Sequence, residues 1–102
     1  MSKVIDISKY LDQTKPKIVW DGKEYIVNDT LETMIKIEET MSSMEDIEQI
    51  EKTLEIALGK QVIKEINVRK WSMSNFKILL AGIFAAIEGT EDIESILNRF
   101  QQ

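Results

Sequence analysis

The chain has 102 residues, of which 43% are hydrophobic and 30% charged, the composition of one soluble globular domain with no room for a second. Eighteen acidic against thirteen basic residues leave a net charge of −5 and a pI near 4.8, which disfavours nucleic acid or an anionic membrane as the main partner. Cysteine and histidine do not occur, so disulfides, thiolate chemistry, the commonest general base and the commonest transition-metal ligand are all excluded.

The first residues, Met1-Ser2-Lys3-Val4-Ile5-Asp6-Ile7-Ser8, carry charge but no apolar stretch of signal-peptide length, so a cytoplasmic protein is expected. Val4 and Asp6 alternate with Ile5 and Ile7, a pattern suited to a short edge strand, while Ser8 could instead cap one turn of helix. Residues 1–16 therefore read as an N-terminal arm. Pro16 ends it, biasing Lys15 toward extended geometry.

The sharpest local signal follows. Asp21-Gly22 stands between Ile18-Val19-Trp20 and Lys23-Glu24-Tyr25-Ile26-Val27, two runs rich in β-branched and aromatic residues. Both turn positions tolerate positive φ, so a β-hairpin is predicted over residues 17–28. A hairpin alone is marginal, and Ile18, Trp20, Tyr25 and Val27 must rest one face on helices or on another chain.

Residues 29–102 read as helical. Asn28-Asp29-Thr30 supplies N-cap chemistry for a helix over residues 31–41, with an apolar stripe of Leu31, Met34, Ile35 and Met41 and either Ile37 or Glu38 at the intermediate turn. Ser43 with Asp46 three residues on resembles a capping box and opens a second helix that runs to Leu58 and stops at Gly59. Its seam is Ile47, Ile50, Leu54 and Ala57 with Leu58 beside it, and its outer face carries Glu45, Glu48, Glu51, Lys52 and Glu55. Residues 60–70 turn basic, with Lys60, Lys64, Arg69 and Lys70, and form a short helix or an irregular connector.

The stretch from Met73 to Glu88 is the most apolar in the chain, too long for an ordinary strand and too short to span a bilayer. It reads as a central helix capped by Ser72 or Ser74 and ended by Gly89, with a bulky face of Leu79, Leu80, Ile83, Phe84 and Ile87. Its smaller face of Gly82, Ala85, Ala86 and Gly89 would let a second backbone come close, either from its own chain or from a neighbouring copy. Thr90-Glu91-Asp92 opens a last amphipathic helix using Ile93, Ile96, Leu97 and Phe100. The expected fold is thus a single domain, mainly α with a small N-terminal β-hairpin (α+β), a compact bundle of four or five helices.

The machinery of an enzyme is missing from this list of parts. Leu58-Gly59-Lys60-Gln61 has the Gly-Lys of a phosphate-binding loop, but Leu54 stands where its first glycine belongs and Gln61 where its hydroxyl belongs. Glu48, Glu51 and Glu55 share a helix face in the manner of a solvated surface, and Ser72 and Ser74 have no histidine to activate them. No catalytic residue, no cofactor and no metal is expected. Lys64, Arg69 and Trp71 suit an acidic protein surface, such as the carboxylate face of a neighbouring copy, better than a nucleic acid.

The order of parts resembles a known family. Segment 18–39, Ile-Val-Trp-Asp-Gly-Lys-Glu-Tyr-Ile-Val-Asn-Asp-Thr-Leu-Glu-Thr-Met-Ile-Lys-Ile-Glu-Glu, is followed by acidic helices and then by segment 76–87, Phe-Lys-Ile-Leu-Leu-Ala-Gly-Ile-Phe-Ala-Ala-Ile. Together they resemble the small tail assembly chaperones of long-tailed, siphovirus-like bacteriophages, over residues 18–100 and in layout rather than in a signature motif. The resemblance implies a non-enzymatic viral protein of the infected bacterial cytoplasm, absent from the mature virion. Such a protein binds the tape measure protein, keeps it soluble, helps recruit tail tube subunits and self-associates as a homo-oligomer. On the residues alone, the surface for such partners would draw on Trp20, Tyr25, Met34, Met41, Met44, Trp71, Met73, Phe76, Gly82, Ala85 and Ala86, the methionines being adaptable apolar contacts. The rival reading is a small acidic regulator, antitoxin-like or a nucleic-acid mimic, acting by charge complementarity through Glu45, Glu48, Glu51 and Glu55.

Overall fold

A computed structural model describes residues 3–11, 14–43 and 46–100, with Phe100 described by its backbone only. The expected hairpin is formed by β1 (Lys17–Trp20) and β2 (Lys23–Ile26), antiparallel, with Ile18 opposite Tyr25 and Trp20 opposite Lys23. Asp21 and Gly22 take φ values of 52° and 75°, the double positive-φ turn whose twist matches that of the strands. Among the described residues five helices follow: α1 (Leu31–Ser42), α2 (Ile47–Leu58), α3 (Lys60–Ile66), α4 (Met73–Glu88) and α5 (Ile93–Phe100). The architecture is mainly α with a small N-terminal hairpin. No helix among the described residues is long and apolar enough to cross a membrane.

Helix boundaries follow local chemistry. Thr30 accepts the Thr33 N–H at 3.3 Å to open α1, Asp46 accepts that of Glu48 at 3.0 Å for α2, and Ser72 accepts that of Asn75 at 3.1 Å for α4. Asp92 accepts the Ser95 N–H at 3.0 Å where α5 begins. Gly59 alone separates α2 from α3, and its φ of 95° makes the corner in a single residue that a side chain would strain. Residues 60–70 are α3 and then a 3-10 turn, Val68–Lys70, with Asn67 left-handed between them.

α4 is the hub, touching α1, α5 and β1, while α1 and α3 both lean on α2. Leu80, Ala81 and Ile83 of α4 are fully buried together with Ile37, Leu54, Ile96 and Val27. Asn28 then ties the hairpin to α2: its backbone N–H donates to the Ala57 carbonyl at 2.8 Å and its side-chain amide to that of Ile56 at 3.2 Å. The carbonyls that the end of α2 leaves unpaired are satisfied from a distant segment.

The buried face of α1 differs from the expected stripe. Leu31 and Ile35 are exposed, and the helix buries Thr33, Ile37, Thr40 and Met41 instead. The threonines are tolerated because each hydroxyl is satisfied: Thr40 donates to the Lys36 carbonyl at 2.8 Å and meets Thr53 of α2 at 3.2 Å, and Thr33 meets the Thr30 hydroxyl at 2.9 Å. In α2, likewise, Ile47 at the head of the seam is exposed and Ile50 is half-buried, while Leu54, Ala57 and Leu58 are buried as expected and Thr53 joins them. Among its described residues the arm holds no strand. Residues 3–7 are irregular, and a 3-10 turn at Ser8–Tyr10 is steadied by Asp6, whose carboxylate accepts the Ser8 N–H at 2.9 Å.

Candidate functional site

The hairpin and α4 do not close on each other, and an apolar groove of about 700 Å³ lies between them. Its strand wall is β1 alone, from Lys17 to Trp20, and its floor is the small-residue face of α4: Gly82, Ala85 and Ala86, flanked by Ile78. A Cβ built on Gly82 meets no heavy atom within 4 Å, so this glycine looks into open space and is not a close-approach point between the chain's own helices. Ala85, by contrast, is buried, and Gly89 lies outside the groove at the end of α4, its N–H reaching the Ala85 carbonyl at 2.8 Å, which also accepts the Thr90 N–H at 3.0 Å. The small face is therefore divided between the chain's own core and an open cleft.

The end wall is aromatic. Trp20 stacks on Tyr25 with ring centroids 4.1 Å apart and meets Trp71 edge-on at 5.7 Å. The Trp71 indole N–H donates to the Ile66 carbonyl at 3.0 Å, so the ring hangs from the end of α3 and holds the hairpin against the connector. Lys17, Lys70 and Glu91 supply the charges of this groove's lining.

Trp71 also lines a second groove, about 370 Å³, between α2 and the start of α4. Ile47 and Ile50 face Met73 and Phe76 across it, with Met73 59% exposed. On its rim Arg69 grips Glu51 with two bonds, Nε to Oε2 at 2.9 Å and Nη2 to Oε1 at 3.0 Å. This bidentate pair holds the Glu51 carboxyl below the usual carboxylate range and the Arg69 guanidinium above its own. Attraction between the basic connector and the acidic second helix, expected between copies, is thus met by Arg69 within one chain.

Of the residues singled out from the sequence, Trp20, Trp71, Gly82, Ala85 and Ala86 come together at the larger groove and Trp71, Met73 and Phe76 at the smaller. Tyr25 supports Trp20 from beneath. Met34 is half-buried against the core and Met41 is buried in it, neither opening to a groove. Met44 and Glu45 lie outside the described residues. Sequence reasoning passed over Ile47, Ile50 and Ile78 as surface candidates because each belongs to an apolar stretch of a helix; only the exposure of Ile47 and Ile78 and the place of Ile50 in the groove lining, once the helices pack, mark them. Among the described residues no group of three or more acidic side chains is placed to hold a metal ion. No protein-family model, no curated protein and no solved structure matches this chain.

Proposed function

We propose that the chain is a tail assembly chaperone of a long-tailed bacteriophage, a binding protein without catalysis that keeps the tape measure protein soluble and helps bring tail tube subunits to it. The observation that carries this reading is the second groove, where Ile47, Ile50, Trp71, Met73 and Phe76 leave an apolar channel open between two helices. A long helical client presents a stripe of apolar side chains, and a cleft between helices is the shape that takes one. Methionine suits a client of varied sequence because its unbranched thioether adapts to many shapes. The net charge of −5 supports the same role by keeping an apolar-surfaced complex dispersed.

The acidic-regulator reading draws less support, since Glu51, in the middle of its carboxylate row, is already neutralised by Arg69.

Co-expression with a tape measure fragment tests the proposal. The fragment should move to the soluble fraction with the wild-type chain and return to the pellet with Met73→Asp or Ile47→Asp, both at exposed positions where a carboxylate leaves the fold intact. A fragment equally insoluble with and without the wild-type chain sinks it.

A further inference from the structure

The larger groove has an open strand edge along one wall. Paired residues of an antiparallel ladder alternate between those that exchange hydrogen bonds and those that do not. The Val27 N–H donates to the Pro16 carbonyl at 2.9 Å, which places Ile18 opposite Tyr25 and Trp20 opposite Lys23 among the bonded pairs. The N–H and C=O groups of Lys17 and Val19 therefore point away from β2. The sheet has two strands, so among the described residues no strand meets them, and β1 is the strand that lines the groove.

The same chain carries a segment that fits this edge. In residues 3–7, Val4 is 92% and Ile5 81% exposed, and Ile7, Tyr10 and Leu11 beyond them are exposed as well. Apolar side chains clustered in this way mark a contact surface. Pro16 continues the line of β1, its carbonyl accepting the Val27 N–H. None of the described residues of the arm lines the groove, so the arm leaves its own groove open.

We propose that residues 3–7 of a second copy of this chain add as an antiparallel strand to the open edge of β1 and cover the groove floor at Gly82 and Ala86. The register follows from charge and pleat. Val4 lies opposite Val19 and Asp6 opposite Lys17, the two β1 residues with free backbone groups, so an apolar pair and an oppositely charged pair form on the outer face. Ile5 lies opposite Ile18 on the inner face, above the small residues of α4. A slip of one residue would turn Asp6 onto the apolar floor and Ile5 into solvent. Each chain gives one arm and receives one, so every copy covers both its arm and its groove. This inference stands apart from the tail-assembly reading and needs no client.

The test uses the full chain. Light scattering should give the wild type a mass that is a multiple of 11.8 kDa and reduce it to that of one chain in Ile5→Asp and in Gly82→Leu. Ile5 is exposed and a side chain at position 82 enters open space, so both variants should keep the wild-type circular dichroism. Should Gly82→Leu misfold, Ile5→Asp decides alone. The chain has no cysteine, so Val4→Cys and Val19→Cys chains can be mixed and oxidised; a disulfide heterodimer is expected in several-fold excess over either homodimer. A wild type of single-chain mass, an Ile5→Asp protein that keeps the wild-type mass, or a double-cysteine variant that links only within its own chain would each overturn the proposal.

Discussion

The two ends of the chain are built from the same kind of residue and meet opposite fates. Ile93, Ile96 and Leu97 at the C-terminal end dock on α4, with Ile96 fully buried, whereas Val4, Ile5 and Ile7 at the N-terminal end are exposed. Local support accounts for part of the difference: Asp92 caps α5, and Arg99 reaches back to Glu88 of α4 at 3.0 Å, while the arm has one short 3-10 turn. Periodicity accounts for the rest. Residues spaced three and four apart suit a helix that can lie on α4, but alternating residues suit a strand, and a strand is stable only beside another strand's edge. An apolar segment finds cover within its own chain when its repeat matches a surface that chain presents.

Truncation should break the comparison most sharply. Ile96→Ala should cost about 2–4 kcal/mol, a drop of some ten degrees or more in melting temperature, because a cavity opens beneath α5. Ile5→Ala, removing the same atoms, should leave the melting temperature of the single chain unchanged in dilute calorimetry; equal losses at the two positions would show the arm docked on its own body.

Removing the cap of α5 should have a smaller effect. Asp92→Ala should cost about 1 kcal/mol through the orphaned Ser95 N–H, read by urea unfolding, and Asp92→Asn should recover most of it.

The smallest expected change is at the arm's own turn. Hydrogen bonds from the Ser8 side chain and backbone hold the Asp6 carboxyl below its usual value. A depressed carboxyl favours the folded turn above the unfolded pKa, and that preference fades as pH falls through the folded value. The Ser8 amide resonance should therefore shift in acid below the ordinary aspartate range; an unchanged Ser8 amide would remove the Asp6 contact.

Much of the fold was legible because it rests on contacts only a few residues long. Asp21-Gly22 announces the hairpin, Thr30 and Ser72 cap helices within three residues, and the limits of α4 coincide with those of the apolar run. The candidate site was legible only in pieces. Trp20, Trp71 and Gly82 drew notice singly, by type, and nothing in their spacing says that they share a groove. The stripe of α1 misled because Leu31 and Ile35 look like core, while the threonines that replace them become acceptable only when Thr40 and Thr53 meet across two helices.

By itself, then, the sequence determined the hairpin and its turn, where α1 and α4 begin, where α2 stops, and that α4 would be the apolar centre, because caps, turns and hydrophobic runs act over one or two helical turns. Tertiary structure alone decided which face of α1 is buried, that Arg69 closes on Glu51 eighteen residues away, and that Gly82 faces an opening instead of a neighbour. Those outcomes depend on how one element's surface fits another's, and complementarity of that kind is a property of the assembled pair which neither stretch carries alone.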